Sequence, residues 1–113
     1  MKQNLIRDRS FTFAIKIVDM YKYLINEKKE FVLSRQLLRS GTSIGANVKE
    51  SINAISRADF RNKMSIALKE ADETEYWIEL IIESNILNEE LAFKMLDECK
   101  EICKILNSIV KNI

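Results

Sequence analysis

The stretch 56–81, SRADFRNKMSIALKEADETEYWIELI, decides the fold class. Its apolar and small residues recur at alternating steps of four and three, which places them along one side of a long helix. They are Phe60, Met64, Ala67, Ala71, Thr74, Ile78 and Ile81. Before them, Ser56 and Asp59 have the spacing of a capping box, in which two side chains bond free backbone N–H groups. The stretch therefore predicts a capped helix that contributes one seam of a helical bundle.

Three further helical patterns flank this stretch. The first runs from about 10 to 26 with Ser10 as its expected N-cap, and the second from about 32 to 54. A fourth pattern starts near Asn88 and continues to the end of the sequence. Their expected core residues are Phe11, Ala14, Ile17, Val18, Tyr21, Leu24 and Ile25, then Leu33, Leu37, Ile44 and Val48, then Leu91, Met95, Leu96, Cys99, Ile102, Cys103, Leu106, Ile109, Val110 and Ile113. Short connections join neighbouring helices in opposite directions, so we expect an all-α, antiparallel up-down-up-down four-helix bundle.

Composition agrees with one helical domain over residues 1–113. The chain is 47% hydrophobic and has two Gly and no Pro, which leaves little for the turns of a sandwich or barrel. It has no His, so the commonest general base and the commonest metal ligand are both missing. We therefore expect a protein that is not an enzyme, with no catalytic residue, metal or cofactor.

Both glycines, Gly41 and Gly45, fall inside the second helical pattern. A glycine within a helix costs roughly 1 kcal/mol relative to alanine, so a compensating contact is expected there. The apolar spacing continues through them and predicts a continuous helix with a neighbouring helix packed close against the two glycines. The alternative is a break after Ser40, with a loop through both glycines.

The two cysteines, Cys99 and Cys103, lie four residues apart in the fourth pattern. We interpret them as core cysteines in a reducing cytosol, and a metal or redox role is the alternative. The first seven residues lack the apolar run of a signal peptide, and no apolar stretch approaches the length that spans a membrane. We therefore expect a cytoplasmic protein without a membrane partner.

Several large apolar residues lie off these stripes, on the first and third helices. We predict that they form a subunit interface, because clustered surplus apolar area marks interaction sites. Scattered exposed apolar residues are the alternative. The interface candidates are Phe13, Met20 and Tyr23 on the first helix, and Tyr76, Trp77 and Leu80 on the third.

Charge is unevenly distributed although the net charge is only +1. Residues 1–69 hold 14 Lys and Arg against 6 Asp and Glu, whereas residues 70–113 hold 4 against 11. In an antiparallel bundle many of the cations gather at one end, which we call the basic pole: Lys2, Arg7, Arg9, Lys49, Arg57, Arg61, Lys63, Lys104 and Lys111. Its candidate nucleic-acid contacts are Arg7, Arg9, Arg57, Arg61 and Lys63, which reach phosphates but have no aromatic residues among them to read bases. Solvated faces and ion pairs are the alternative.

A group of carboxylates has two interpretations. They loosely resemble the Mg²⁺ cages of helical nucleotide pyrophosphohydrolases, but charge pairs with Arg and Lys are the favoured reading. The group comprises Glu70, Glu73, Glu75, Glu98 and Glu101. We also expect Ser43, Asn47 and Glu75 to satisfy one another's hydrogen bonds in or beside the core.

Two blocks carry a family resemblance: QLLRSGTSIGANVKE at 36–50, and SRADF at 56–60 followed by IALKEA and ETEYW. They resemble the signature of the bacterial four-helix-bundle proteins named for 23S rRNA intervening sequences. This resemblance implies a cytoplasmic homopentamer and kinship with the accessory variability determinant protein of diversity-generating retroelements, which engages reverse transcriptase and nucleic acid. The matching signature residues, with an implied structural role, are Gln36, Arg39, Ser43, Asn47, Glu50, Asp59, Phe60 and Glu75.

The expected function follows from the basic pole and the resemblance together. It is a homo-oligomeric scaffold that binds RNA, DNA or a nucleic-acid enzyme. The alternatives are a protein-assembly adaptor and a Mg²⁺-dependent nucleotide pyrophosphohydrolase.

Overall fold

The chain forms four helices and no strand within the part that the structure describes. This computed structural model describes residues 2–113, with side chains from Leu5 onward. The helices are α1 (Lys2–Asn26), α2 (Leu33–Ile52), α3 (Arg57–Glu83) and α4 (Glu90–Lys111). Both α1 and α3 pack against α2 and α4, so α1 and α3 lie diagonally across a rod of 44 × 19 × 18 Å.

The core runs along the axis of this rod and receives one side of each helix. The seam predicted for α3 is confirmed. Phe60 packs against the core, and the other predicted seam residues are all buried: Met64, Ala67, Ala71, Thr74, Ile78 and Ile81. Burying a large apolar side chain contributes about 1.5–3 kcal/mol to folding. The largest fully buried side chains are Phe13, Ile6, Ile17, Met20, Leu24, Leu37, Ile44, Met64, Ile78, Ile81, Met95 and Ile102.

Helix α1 differs from its prediction in the residue at which it begins and in the side that faces the core. It begins at Lys2, and Ser10 is a buried residue within it whose hydroxyl donates to the Arg7 carbonyl at 3.2 Å. The predicted N-cap is therefore wrong. Phe11, assigned to the core, is 67% exposed, whereas Phe13 is fully buried. Apolar residues occupy two adjacent sides of α1, so periodicity alone did not select the inward one.

The continuous α2 predicted through its two glycines is confirmed, and the alternative break after Ser40 is wrong. A Cβ on Gly41 would lie 2.8 Å from side-chain atoms of Ile17, and one on Gly45 would lie 3.3 Å from the backbone oxygen of Ser10. Because real Cβ atoms almost never approach within 3 Å, the missing side chain at Gly41 is what admits Ile17. Both glycines thus permit close packing of α1 on α2.

The start of α2 is capped by a side chain that sequence reasoning missed. The Glu30 carboxylate accepts the backbone N–H groups of Val32, Leu33 and Ser34 at 3.2, 3.0 and 2.7 Å. The Ser34 hydroxyl donates a hydrogen bond to the Glu30 backbone carbonyl at 2.7 Å. Partial burial opposes ionisation of Glu30, but these backbone bonds outweigh it and lower the pKa of the carboxyl. One carboxylate therefore fixes the turn before α2.

The connections on either side of α3 follow the sequence prediction only in part. The Ser56 hydroxyl accepts the Asp59 N–H at 3.0 Å, so the predicted N-cap is confirmed. The Asp59 carboxylate accepts the N–H of Ile55 at 3.3 Å, one residue before the N-cap, so the reciprocal bond of the capping box is displaced by one residue. After α3, Asn85 adopts a left-handed conformation with φ of 58°. Helix α4 then begins without a side-chain cap, and Leu91, predicted for the core, is exposed.

None of the helices within residues 2–113 is both long enough and apolar enough to cross a membrane.

Candidate nucleic-acid interface

The structure places four cations of the predicted basic pole, Arg7, Lys49, Arg57 and Lys63, at one end of the rod. Arg7 near the start of α1 and Lys49 near the end of α2 line one pocket. Arg57 at the start of α3 lines another with Ile113, just beyond α4. All four helices thus contribute to this end. The side chain of Lys2 lies outside the described residues.

Two of the five candidate nucleic-acid contacts already have acidic partners. Lys63 lies 2.8 Å from the Glu50 carboxylate, and that hydrogen bond raises the pKa of Lys63. Arg7 lies 3.1 Å from the Asp8 carboxylate next to it in the sequence. These two cations are partly neutralised and so are less available to phosphates than the sequence implies.

The other three candidates, Arg9, Arg57 and Arg61, are exposed. Arg57 and Arg61 are four residues apart, so they project from the same side of α3. Within the described part of the chain, six cations of the pole form no ion pair within 4 Å. They are Arg9, Lys49, Arg57, Arg61, Lys104 and Lys111.

The six interface candidates do not form one surface. Phe13 and Met20 are buried in the core of the single chain, so their assignment outside the core was wrong. Tyr23 donates to Glu89, just before α4, at 3.3 Å. Because α1 and α3 are diagonal, Tyr23 is separated from the aromatic residues of α3.

The aromatic residues of α3 form a local pair. The rings of Tyr76 and Trp77 meet edge to face with centroids 5.1 Å apart. The Trp77 indole donates to Glu73 at 3.0 Å, while Tyr76 is 57% exposed and Leu80 is half-buried. The predicted interface therefore reduces to two separate patches, one with Tyr23 and one with Tyr76, Trp77 and Leu80.

Three of the five carboxylates in this group, Glu70, Glu73 and Glu98, pair with cations, as the favoured interpretation predicts. Arg39 of α2 bonds both Glu70, at 3.4 Å, and Glu73, and its other contact is the Gln36 side-chain oxygen at 3.5 Å. Lys16 similarly lies 2.7 Å from Glu98. Among residues that the structure describes, no group of three or more His, Cys, Asp or Glu is placed to hold a metal ion.

The expected mutual bonding of Ser43, Asn47 and Glu75 holds only between the Asn47 side chain and the Ser43 backbone carbonyl, and it is wrong for Glu75. The Ser43 hydroxyl donates to the Arg39 carbonyl at 2.6 Å, and the Asn47 amide donates to the Ser43 carbonyl at 2.8 Å. Helical side chains readily reach carbonyls one turn back, so these two need no distant partner. Glu75 instead accepts from the Cys103 thiol of α4 at 3.7 Å.

Both cysteines are buried and free, as predicted for core residues. Cys99 donates to the Ala71 carbonyl at 3.4 Å. A hydrogen bond with Cys103, followed by burial, raises the pKa of the Cys99 thiol, so it stays protonated at neutral pH.

The comparisons with known proteins agree with the residues that carry the resemblance. The family model described as 23S rRNA-intervening sequence protein matches residues 2–108. The chain belongs to this family. A crystal structure from Bacteroides thetaiotaomicron, described as a protein of unknown function from the S23 ribosomal protein family, is 55% identical to it. That match has a TM-score of 0.94 and covers 98% of this chain and 99% of the other. No curated protein matches the chain.

Proposed function

We propose that this member of the 23S rRNA-intervening sequence protein family is a non-enzymatic, homo-oligomeric scaffold that binds RNA or DNA through its basic pole. In this proposal the helices run up-down-up-down, and the protein works in the cytoplasm, where its free thiols remain reduced. The observation that carries it is the group of six cations at the pole without an ion-pair partner among the described residues.

Nearby carboxylates do not neutralise these six cations. Of the acids at the pole, Glu50 pairs with Lys63, Asp8 pairs with Arg7, and Asp59 caps α3. A phosphate backbone supplies the missing negative charges, and each contact gains from the release of condensed counterions. The overall charge of +1 does not prevent this, because binding responds to the local field.

The direct test is charge reversal at the start of α3. Labelled RNA and DNA are titrated with the protein across a range of salt concentrations, and binding is followed by fluorescence anisotropy. We expect wild-type binding to weaken steeply with salt and to depend little on sequence. Arg57→Glu with Arg61→Glu should abolish it without unfolding the chain, because both side chains are exposed and Arg57 lies in the first turn of α3, where the helix dipole favours an acid.

The matched control reverses two exposed cations away from the pole, Lys22→Glu with Arg35→Glu. It changes the net charge by the same amount and should keep most of the binding. Equal binding by wild type and the pole variant, or no wild-type binding at low salt, would contradict nucleic-acid binding at the pole. Absence of wild-type binding would favour a protein-assembly adaptor, including one for a nucleic-acid enzyme, whereas equal binding would place the nucleic-acid contacts elsewhere on the chain.

Self-association is the second part of the proposal, with a pentamer as the favoured state. The exposed Tyr76, beside Trp77, and the partly exposed Tyr23 support it, because aromatic residues are enriched in interfaces. Patches on different sides of one chain suit a head-to-tail ring, in which each copy meets its neighbour through unlike surfaces. A ring would place several basic poles on one rim and raise avidity. Light scattering at micromolar concentration that gives the 13.2 kDa of a single chain would contradict it.

A further inference from the structure

The turn before α3 exposes an apolar side chain that its own helix would normally cover. Ile55 immediately precedes the N-cap Ser56, and Phe60 is the fourth residue of α3. Apolar residues at these two positions commonly pack together as a hydrophobic staple. Here Phe60 packs against the core, whereas Ile55 is 94% exposed. The sequence has the staple pattern, but the contact is not made.

Hydrogen bonds hold this turn in place. The Asn53 N–H donates to the Glu50 carbonyl at 3.2 Å, and the Ala54 N–H donates to the Ser51 carbonyl at 3.1 Å. The Ile55 N–H donates to the Asp59 carboxylate at 3.3 Å. Every N–H from Asn53 to Ile55 is thus bonded, so the backbone that carries Ile55 is held in one conformation.

Exposed cations lie on both sides of Ile55 in the sequence, and the Asp59 carboxylate accepts its backbone N–H. Lys49 precedes the turn, and Arg57 and Arg61 follow it; all three are exposed and lack an ion pair among the described residues. Ile52, at the end of α2, is also exposed. We call Ile52 and Ile55 the apolar tip. An apolar tip among unpaired cations complements a ligand that combines anionic edges with an apolar interior.

We propose that the apolar tip enters the minor groove of double-stranded nucleic acid, where Ile55 wedges against a base step while the flanking cations hold phosphates. The inference rests on the proposed nucleic-acid binding and identifies its ligand as a duplex. Aliphatic side chains act as wedges between base steps of duplexes, whereas single strands are bound mainly by aromatic stacking. Ile55 offers a wedge and no ring, so a duplex suits it better.

The test compares two exposed apolar residues at opposite ends of the rod. Ile55→Ala should weaken duplex binding about tenfold and leave its salt slope unchanged, because the phosphate contacts remain. Val32→Ala, which removes a side chain that is 71% exposed beside the start of α2, should leave binding unchanged. Both variants should melt like wild type by circular dichroism, since neither side chain is buried. Ile55→Phe, a larger wedge, should strengthen duplex binding.

Duplex shape and a single-stranded probe complete the experiment. Energy transfer between dyes at the two duplex ends should report bending by wild type and less by Ile55→Ala. Unchanged duplex affinity of Ile55→Ala, or an equal loss of affinity for a single strand of the same length, would overturn the wedge while leaving nucleic-acid binding intact. Absence of wild-type binding to either probe would overturn the proposed function and the wedge with it.

Discussion

The two ends of the rod use their charged residues differently. At the end where α2 and α4 start, Glu30 accepts three backbone N–H groups. Nearby, Glu89 pairs with Lys28 at 3.2 Å and accepts from Tyr23 of α1. These groups bond to the fold itself. The basic pole leaves six cations without ion pairs among the described residues, compared with three, Lys22, Lys29 and Arg35, at the other end.

Because of this difference, charged residues at one end contribute to the stability of the fold, and those at the other end are available for binding. An exposed cation loses little by lacking a partner, because surface ion pairs contribute only about 0–1 kcal/mol. Cations can therefore accumulate at one end without unfolding the chain, whereas removal of a helix cap costs stability directly. We expect substitutions at the capped end to change stability and substitutions at the basic pole to change binding.

The largest expected effect on stability is at Gly41, near the middle of α2. Gly41→Leu should destabilise the fold by on the order of 1–3 kcal/mol, because even its Cβ would meet Ile17 at 2.8 Å. Thermal unfolding measures it, with Ala46→Leu on the exposed side of α2 as the control. A melting temperature for Gly41→Leu equal to or above that of wild type would contradict close packing of α1 on α2.

A smaller effect is expected at the capped end. Glu30→Ala should cost about 1–2 kcal/mol, because the N–H groups at the start of α2 lose their acceptor. At the basic pole Arg57→Ala should cost less than about 0.5 kcal/mol. Denaturant unfolding of both variants measures the difference, and equal losses would contradict the contrast between the ends.

The Glu30 cap also predicts a pH dependence. The pKa of Glu30 is lowered in the folded chain, so its stabilisation is complete above the ordinary carboxyl pKa. It is lost as the pH falls through the lowered folded value. Wild type should therefore lose more stability on acidification than Glu30→Gln, which keeps an oxygen acceptor but no charge. Parallel pH profiles would show that the carboxylate charge contributes nothing.

Much of the fold follows from local patterns. The α3 seam and its Ser56 N-cap depend on residues close together in sequence, and both are confirmed. The glycines of α2 could also be predicted, because only close packing offsets their cost within a helix. The first turns of α1 could not, since they are mostly polar and, among the side chains described from Leu5 to Arg9, only that of Ile6 reaches the core.

The candidate nucleic-acid interface is harder to predict from the sequence, because it depends on which charged side chains form ion pairs in the folded chain. The gathering of cations followed from helix order, but the pairing of Lys63 with Glu50 is a tertiary contact. Likewise Phe13 and Tyr23 have similar local surroundings, and only packing buries the first and leaves the second at the surface. The Glu30 cap has no standard capping motif, because its carboxylate acts from two residues before the N-cap.

The smallest expected effect distinguishes two neighbouring cations at the pole, Arg61 and Lys63. Each phosphate contact contributes about 0.9 to the slope of log binding constant against log salt on duplex DNA. Arg61→Gln should therefore lower the magnitude of that slope by about one, since Arg61 has no ion pair among the described residues. Lys63→Gln should lower it less, because Glu50 at 2.8 Å already neutralises Lys63. Anisotropy titrations at four or more salt concentrations measure both slopes. A slope change for Lys63→Gln equal to that for Arg61→Gln would mean that phosphate displaces Glu50, and pairing within the fold would then not decide which cations bind.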